Sequence, residues 1–504
     1  MKKHWLPVVV SVLILSVALC GCKGDKKKAD GNQFPLTVGI QQDIDSLDPH
    51  KAIAAGTKEI LFNVYEGLVK PDSEGNLIPA IASEVNISPD GCEYTFTIRQ
   101  GVKFHDGTTL DAEDVVYSLK RAAGLLDDQD PSVVVDSAFS SVSEISASGE
   151  EVKVLLSSPN TELLGYLTCA IIPKDNTTCD KTPIGTGPYK ITNYQPLEKI
   201  ELKKHDEYWG TPAHIEDVTF KIIADADTAT AQLLSGAVDV YAYLTADQAA
   251  ELENKFRIEE GSMGLVQGIF LNNESHLFSD IRVRQALCYA VNRQGILDLI
   301  ADGNGTPVAT DMFPSFSAYY NRDTLDTYPY NSIKAKELLK EAGYPNGIAF
   351  TLIVPSGYQY HVDTAQIVAD QLKKSNIYVS IRQVDDASWL QDVYHDRQYD
   401  ATLYGLAAKV VVPSRVLSRY CQNAGNNFIN YKNDAYDALF EKALSSTDTN
   451  EKKALYKEME AMLTDDAASV YLQDPALLVA VNPNLDGYTF YPIFVQDVAS
   501  LYWK

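Results

Sequence analysis

The chain is 504 residues long, carries 43 Lys and Arg against 68 Asp and Glu, and has a formal charge of −25. At about 150 residues per domain this length predicts roughly three domains, and 45% hydrophobic with 22% charged residues excludes global disorder. Acidity of this size argues against nucleic acid, where binding needs Lys and Arg to displace phosphate counterions.

Lys2 and Lys3 precede an apolar run of 15 residues, Trp5 to Leu19. A membrane span needs about 20, so the run reads as the apolar region of a secretory signal. Leu19-Cys20-Gly21-Cys22 follows and resembles a bacterial lipoprotein box. Such a box needs a small residue before the lipidated cysteine. Gly21 satisfies this and Leu19 does not, so Cys22 is the expected lipidation site. On this reading residues 1–21 are a signal peptide and 22–34 a polar, lipidated tether, and the charge of the exported body is about −27. The body is expected outside the cytoplasmic membrane, anchored at a bacterial cell surface or in a periplasm. Cys92, Cys169, Cys179, Cys288 and Cys421 remain, an odd number in a large chain, which does not indicate a disulfide framework. Cys169 and Cys179 are close enough in sequence to pair.

Tyr94, Phe96 and Ile98 alternate with Thr95, Thr97 and Arg99, which predicts a strand between turn signals. Asp111 reads as the cap of a helix buried through Val115, Val116 and Leu119. Tyr189 to Lys204 reads as two strands, Val218 to Ile223 as another, Thr228 to Leu234 as a helix and 238–240 as a short buried strand. Ile269 to Asn273 is a predicted strand, Ile281 to Ile300 one helix, and Lys334 to Ala342 a helix ended by Gly343. Strands are predicted at Ala349 to Val354, Tyr378 to Gln383 and Ala401 to Leu406. Helices are predicted at Ala365 to Lys374, Ala435 to Leu444 and Glu451 to Thr464. Strands alternating with helices give an α/β class.

Catalytic signals are missing. None of the eight histidines has the spacing of a helical metal site, and H-E-x-x-H, G-x-S-x-G and the phosphate loop are absent. Asp43, Asp45 and Asp48 lack the glycine and closing glutamate of a calcium loop. Nothing nominates a nucleophile, a base, a metal or a cofactor, which moves weight from enzyme toward binder. The 29 tyrosines suit a cleft that holds polar organic ligands.

Several segments together resemble the extracytoplasmic solute-binding proteins of peptide-type ABC importers, the oligopeptide- and dipeptide-binding family 5. They are Tyr65-Glu66-Gly67-Leu68-Val69 with Leu77 to Ala82, and Tyr94 to Gly107 running into Asp114-Val115-Val116-Tyr117-Ser118. Gly185-Thr186-Gly187-Pro188-Tyr189 with Tyr208-Trp209 comes next. Leu271-Asn272-Asn273 with Val283 to Leu287 and Ala290 to Arg293, then Ala335 to Gly343 with Tyr344-Pro345, complete the set. The resemblance implies a periplasmic-binding-protein-like α/β fold: two main lobes joined by a hinge, an extra lobe, and a ligand cleft between lobes. Residues 35–57, 180–265 and 476–504 would form a discontinuous lobe I, 58–179 the extra lobe and 266–475 lobe III. A monomer would capture a peptide or peptide-like solute by closure and pass it to permease and ATPase subunits, with no covalent step and no nucleic acid. A surface sensor, a binder of a non-peptide solute and a secreted hydrolase are the competing readings.

One departure stands out. Peptide binders of this family carry an aspartate for the peptide's α-ammonium in the loop after the strand that here is Ala401 to Gly405. Aligned on Gly405 and Pro413, Lys409 takes that place. Two ammonium groups gain nothing from each other to offset desolvation, so Lys409 points to a ligand carboxylate, another anion or an uncharged ligand. Tyr404 and Trp389 flank the loop, Gln267 precedes the crossing strand and Asp45 lies in the first crossing segment. These are the further cleft candidates the resemblance suggests.

Overall fold

The structure is a computed structural model, and it describes residues 34–504 apart from 53, 224, 357, 358, 408, 409 and 494. Cys22, the signal and Lys409 therefore lie outside the described residues.

A mixed sheet runs through the molecule. From one edge its strands are Ile377–Val384, Ile348–Pro355, Ala401–Ala407, Leu265–Leu271, Ser469–Val481, Val240–Tyr241, Leu36–Ile40, Asp217–Ile222, Lys199–Lys204 and Tyr189–Gln195. The 13-residue strand Ser469–Val481 joins its two halves. Its first part pairs antiparallel with Leu265–Leu271, and its last part pairs with Arg257–Ser262 and Val240–Tyr241. The expected boundary between residues 475 and 476 falls inside this strand.

Each half has its own apolar core. Leu36, Val38, Tyr189, Phe220, Val479 and Val481 pack together on one side of the crossing. On the other, Ile269, Leu287, Leu352, Leu403 and Val470 form one cluster, and Phe270, Trp389, Tyr420, Tyr456 and Tyr471 a second. A separate four-stranded sheet, Ala82–Ile87, Glu93–Ile98, Glu151–Leu156 and Val142–Ser148, packs with the helix Ala112–Ala123 around Phe96, Phe104, Leu119 and Val154. The alternation read at Tyr94, Phe96 and Ile98 is buried at each of those positions. Asp111 caps the helix by accepting from Glu113 N and Asp114 N, while the Asp114 carboxylate accepts from Asp111 N.

The helix expected from 281 to 300 is two helices, Ile281–Ala290 and Arg293–Ile300. Val291 is extended, and the Asn292 side chain starts the second helix by accepting from Gly295 N at 3.1 Å. Gln371 holds the break open, donating to Asn292 O at 3.1 Å and accepting from Asn292 N at 2.7 Å. The apolar positions stay in phase across the break, which is why periodicity alone reads them as one helix. Cys169 and Cys179 are free thiols, and burial pushes both up to about 12.

The Gly185-Thr186-Gly187 turn lies against the backbone of Asn63 and Val64. Gly187 N donates to Val64 O and Tyr189 N to Asn63 O, both at 3.0 Å. A Cβ on Gly185 would sit 2.1 Å from Val64 O, and one on Gly187 would sit 2.6 Å from Asn63 O. Neither contact can be relieved without moving backbone. Gly185→Ala is therefore expected to cost about 2–3 kcal/mol or more, as overpacking does, read as a lower midpoint in urea unfolding.

Candidate functional site

Strand pairing places Gln267 opposite Gly405 and Gly268 opposite Tyr404. The absent side chain of Gly405 leaves room for the His361 ring, whose Cε1 would stand 2.9 Å from a Cβ there. Gln267 donates to His361 Nδ1 at 2.8 Å, and its carbonyl oxygen accepts from Thr364 at 3.1 Å and Gln473 at 2.6 Å. Gln267 is fully buried, so it organises the floor from beneath. Burial holds His361 down at about 3, which keeps the ring neutral at ordinary pH.

Above this floor Trp389 and Tyr404 stack, with ring centroids 4.1 Å apart and planes within 18°. Trp389 Nε1 donates to Thr402 Oγ1 at 2.9 Å, which fixes the indole. His361 lies 5.7 Å from Tyr404 and 4.0 Å from Tyr360. Tyr360 stands at the start of the Gln359–Lys373 helix. The rings of Trp389, Tyr404, His361 and Tyr360 thus form a row on this half.

Asp45 is exposed. Its carboxylate accepts from Thr57 Oγ1 at 2.5 Å and Ala54 N at 2.9 Å, tying the first crossing loop to the helix Ala55–Leu61. That helix carries Glu59, which no sequence motif singled out. Glu59 is only 5% exposed. It accepts from Tyr243 OH at 2.9 Å, and burial pushes its carboxyl up to about 7. Tyr488, also near Glu59, has its phenol pushed up by burial first and by that carboxylate second. The signal that could have found Glu59 is an acid set among buried positions, Thr57, Ile60, Leu61, Asn63 and Val64.

Two further places join the parts of the molecule. Glu162, next to the four-stranded sheet's core, accepts from Tyr456 OH at 2.5 Å and from Ser414 N at 3.1 Å. At the crossing, Asp474 is 1% exposed and accepts from Ser262 Oγ and from Leu265 N at 3.2 Å. Burial pushes its carboxyl up to about 7, although those donors and the backbone of Met263 and Gly264 pull the other way. Among the described residues no group of acids, histidines or cysteines is placed to hold a metal, and no helix is long and apolar enough to cross a membrane.

Residues 76–428 match the bacterial extracellular solute-binding proteins, family 5. The chain belongs to that family. It is 28% identical over 481 residues to the glutathione-binding protein GsiB of Escherichia coli (strain K12), covering 91% of this chain and 92% of that one. It is 27% identical over 530 residues to the oligopeptide-binding protein AppA of Bacillus subtilis (strain 168), covering 97% of each. Among solved structures, the periplasmic binding protein DppA of Helicobacter pylori in complex with the peptide STSA superposes with a TM-score of 0.78 at 26% identity, covering 94% of this chain and 98% of that one. The family-5 chain thus has the mixed α/β, multi-lobe periplasmic-binding-protein fold, and its family works outside the cytoplasm.

For this family-5 protein the crossing makes a pH prediction. An acid raised from 3.8 to about 7 binds more protons folded than unfolded between those values. Its contribution to stability is therefore complete in acid and lost as pH rises through that window. Each tenfold difference in proton affinity is worth about 1.4 kcal/mol. The advantage of Asp474→Asn over wild type in urea unfolding is therefore expected to grow by roughly a few kcal/mol between acid and mildly alkaline pH.

Proposed function

We propose that this protein captures a peptide or peptide-like solute between its lobes and delivers it to the permease of an ABC importer. The observation that carries the reading is the row of rings on one half, Trp389 stacked on Tyr404 with His361 and Tyr360 beyond them. A cleft walled by Trp389, Tyr404 and Tyr360 offers flat apolar faces with hydroxyl edges. A ligand seated on that wall touches the other half only when the halves come together, so ligand contacts supply the free energy of closure. GsiB and AppA, named for binding glutathione and oligopeptides, support a small peptide as cargo.

The lobes proposed are 35–57 with 180–265 and 476–504, then 58–179, then 266–475. The protein is proposed to act as a monomer by binding alone, without catalysis, held to the membrane by lipid on Cys22 after removal of residues 1–21. Incorporation of labelled palmitate in the bacterial host, lost in Cys22→Ser, is the expected result for the anchor.

Lys409, where peptide binders of the family carry an acid, is proposed to meet an anionic group of the cargo. Calorimetric titration with di- to pentapeptides and glutathione is expected to give binding, with a smaller radius of gyration in solution scattering when loaded. Amidating the peptide's C-terminus should weaken binding about tenfold in wild type and have little effect in Lys409→Ala. A failure of every peptide to bind would overturn the peptide reading.

A further inference from the structure

The four-stranded sheet and its helix are fastened to the first half at several buried places. The Arg121 guanidinium of the helix Ala112–Ala123 holds the Asp48 carboxylate through two hydrogen bonds, at 2.9 and 2.6 Å. His50 Nε2 donates to Ala170 O at 2.8 Å, and His105 N to Gly185 O at 3.0 Å. Glu66 accepts from Tyr208 OH at 2.7 Å and from Trp209 Nε1 at 2.6 Å. The two halves are themselves joined at a narrow place. One connection is Met263-Gly264, between the strands Arg257–Ser262 and Leu265–Leu271, where Gly264 has a φ of 62°. The other is Asp474-Pro475 within the long strand. Any turning of the halves about this crossing therefore carries the four-stranded unit with the first half.

That unit also touches the second half, through helices that are no part of the crossing. Thr161 N and Oγ1 donate to Leu444 O at 3.4 and 3.1 Å, and Oγ1 lies 3.0 Å from Ser446 O. Lys452 Nζ donates to Thr161 Oγ1. Glu162 accepts from Tyr456 OH at 2.5 Å and from Ser414 N at 3.1 Å. Leu444 belongs to the helix Asp434–Ser445, Lys452 and Tyr456 to Thr449–Asp465, and Ser414 to Pro413–Leu417. At the rim Arg415 stands 3.5 Å from Asp136. The Val412 side chain fills the space above Gly165, where a Cβ would lie 2.1 Å from Val412 Cγ2.

The joint is built mainly from polar groups. Glu162 and Lys452 are each 8% exposed. Charges buried this far regain their hydration when such a contact opens, which offsets much of what their hydrogen bonds contribute when it is shut. Contacts between units that move against each other have this polar character, whereas permanent ones are large and apolar.

We propose that the turn at Thr161 and Glu162 is a latch, which holds the four-stranded unit against the second half in the closed arrangement and lets go when the halves part. The inference rests on the lobe-closure reading above and adds a source of closing free energy that is separate from the cargo. None of the latch residues is one of the rings proposed to face the cargo. They set affinity by changing how often the closed arrangement is populated before cargo arrives.

The test uses the full exported chain, wild type against Thr161→Val, Tyr456→Phe and Glu162→Ala. The radius of gyration is measured by solution scattering without cargo, then with saturating glutathione or trialanine, and calorimetric titration gives the affinities. Without cargo each variant is expected to be larger than wild type, and a peptide that binds should bring all four proteins to one radius. Loss of a hydrogen bond to a charged group should weaken peptide binding about tenfold in Tyr456→Phe and Glu162→Ala. Equal radii without cargo would overturn the proposal, whatever the affinities or urea midpoints, because the contact would then be a fixed part of the fold. If neither peptide binds wild type, the peptide reading fails separately, and the radii without cargo still decide on the latch. If Glu162→Ala does not fold, Thr161→Val and Tyr456→Phe, which keep the side-chain shapes, decide by the same measurement.

Discussion

The Ser469–Val481 strand is shared by two cores that would otherwise be separate bodies. Its side chains up to Leu472 pack with Ile269, Leu352 and Leu403, and those from Leu477 pack with Leu36, Phe220 and Val240. Because one backbone ladder serves both, the orientation of either core is transmitted to the other through hydrogen bonds and not through a loose tether. Asp474 marks the changeover, a buried acid that ties Ser262 and Leu265 of the neighbouring crossing to this strand. Pro475, which has no N–H to give, follows it and pairs with Gly305.

The ring wall proposed to meet the ligand is braced from that crossing. Gln267 and Gln473 sit on paired strands and brace His361, and His361 in turn fills the space that Gly405 leaves. The Trp389 indole is held by the Thr402 hydroxyl on the neighbouring strand and stacks on Tyr404 of that same strand. On the opposite side the helix with Glu59 is tied back to the first crossing loop through Thr57 and Asp45. Asp45 shapes that helix start through Thr57 and Ala54. If ligand closes the halves as proposed, water is excluded between them, which strengthens every electrostatic interaction there.

Local features were legible in the sequence where one element supplies its own signal. The alternation at Tyr94 to Ile98, the Asp111 cap and the glycine after Ala342 each report a structure formed within a few residues. The Gly185 and Gly187 pair was legible as a motif, but its cause lies about 120 residues away in the backbone of Val64. The long crossing strand was invisible because Gln473-Asp474-Pro475 interrupts its apolar run with three residues that usually end a strand. The split at Val291 and Asn292 depends on Gln371, a partner that periodicity cannot reveal. Glu59 was missed for the same reason. An acid on a short helix looks like surface until Tyr243 arrives from a distant segment to donate to it.

The paired crossings have a consequence for how such a protein can diversify. Along a strand, side chains alternate between faces, so adding or removing one residue turns every later side chain to the opposite face. In Ser469–Val481 both faces are packed, and the error would reach two cores at once. Length changes are thus confined to the loops around the cleft, while residues 257–271 and 469–481 must keep their count. Cargo preference can drift by substitution and loop length on a connection whose own length is locked.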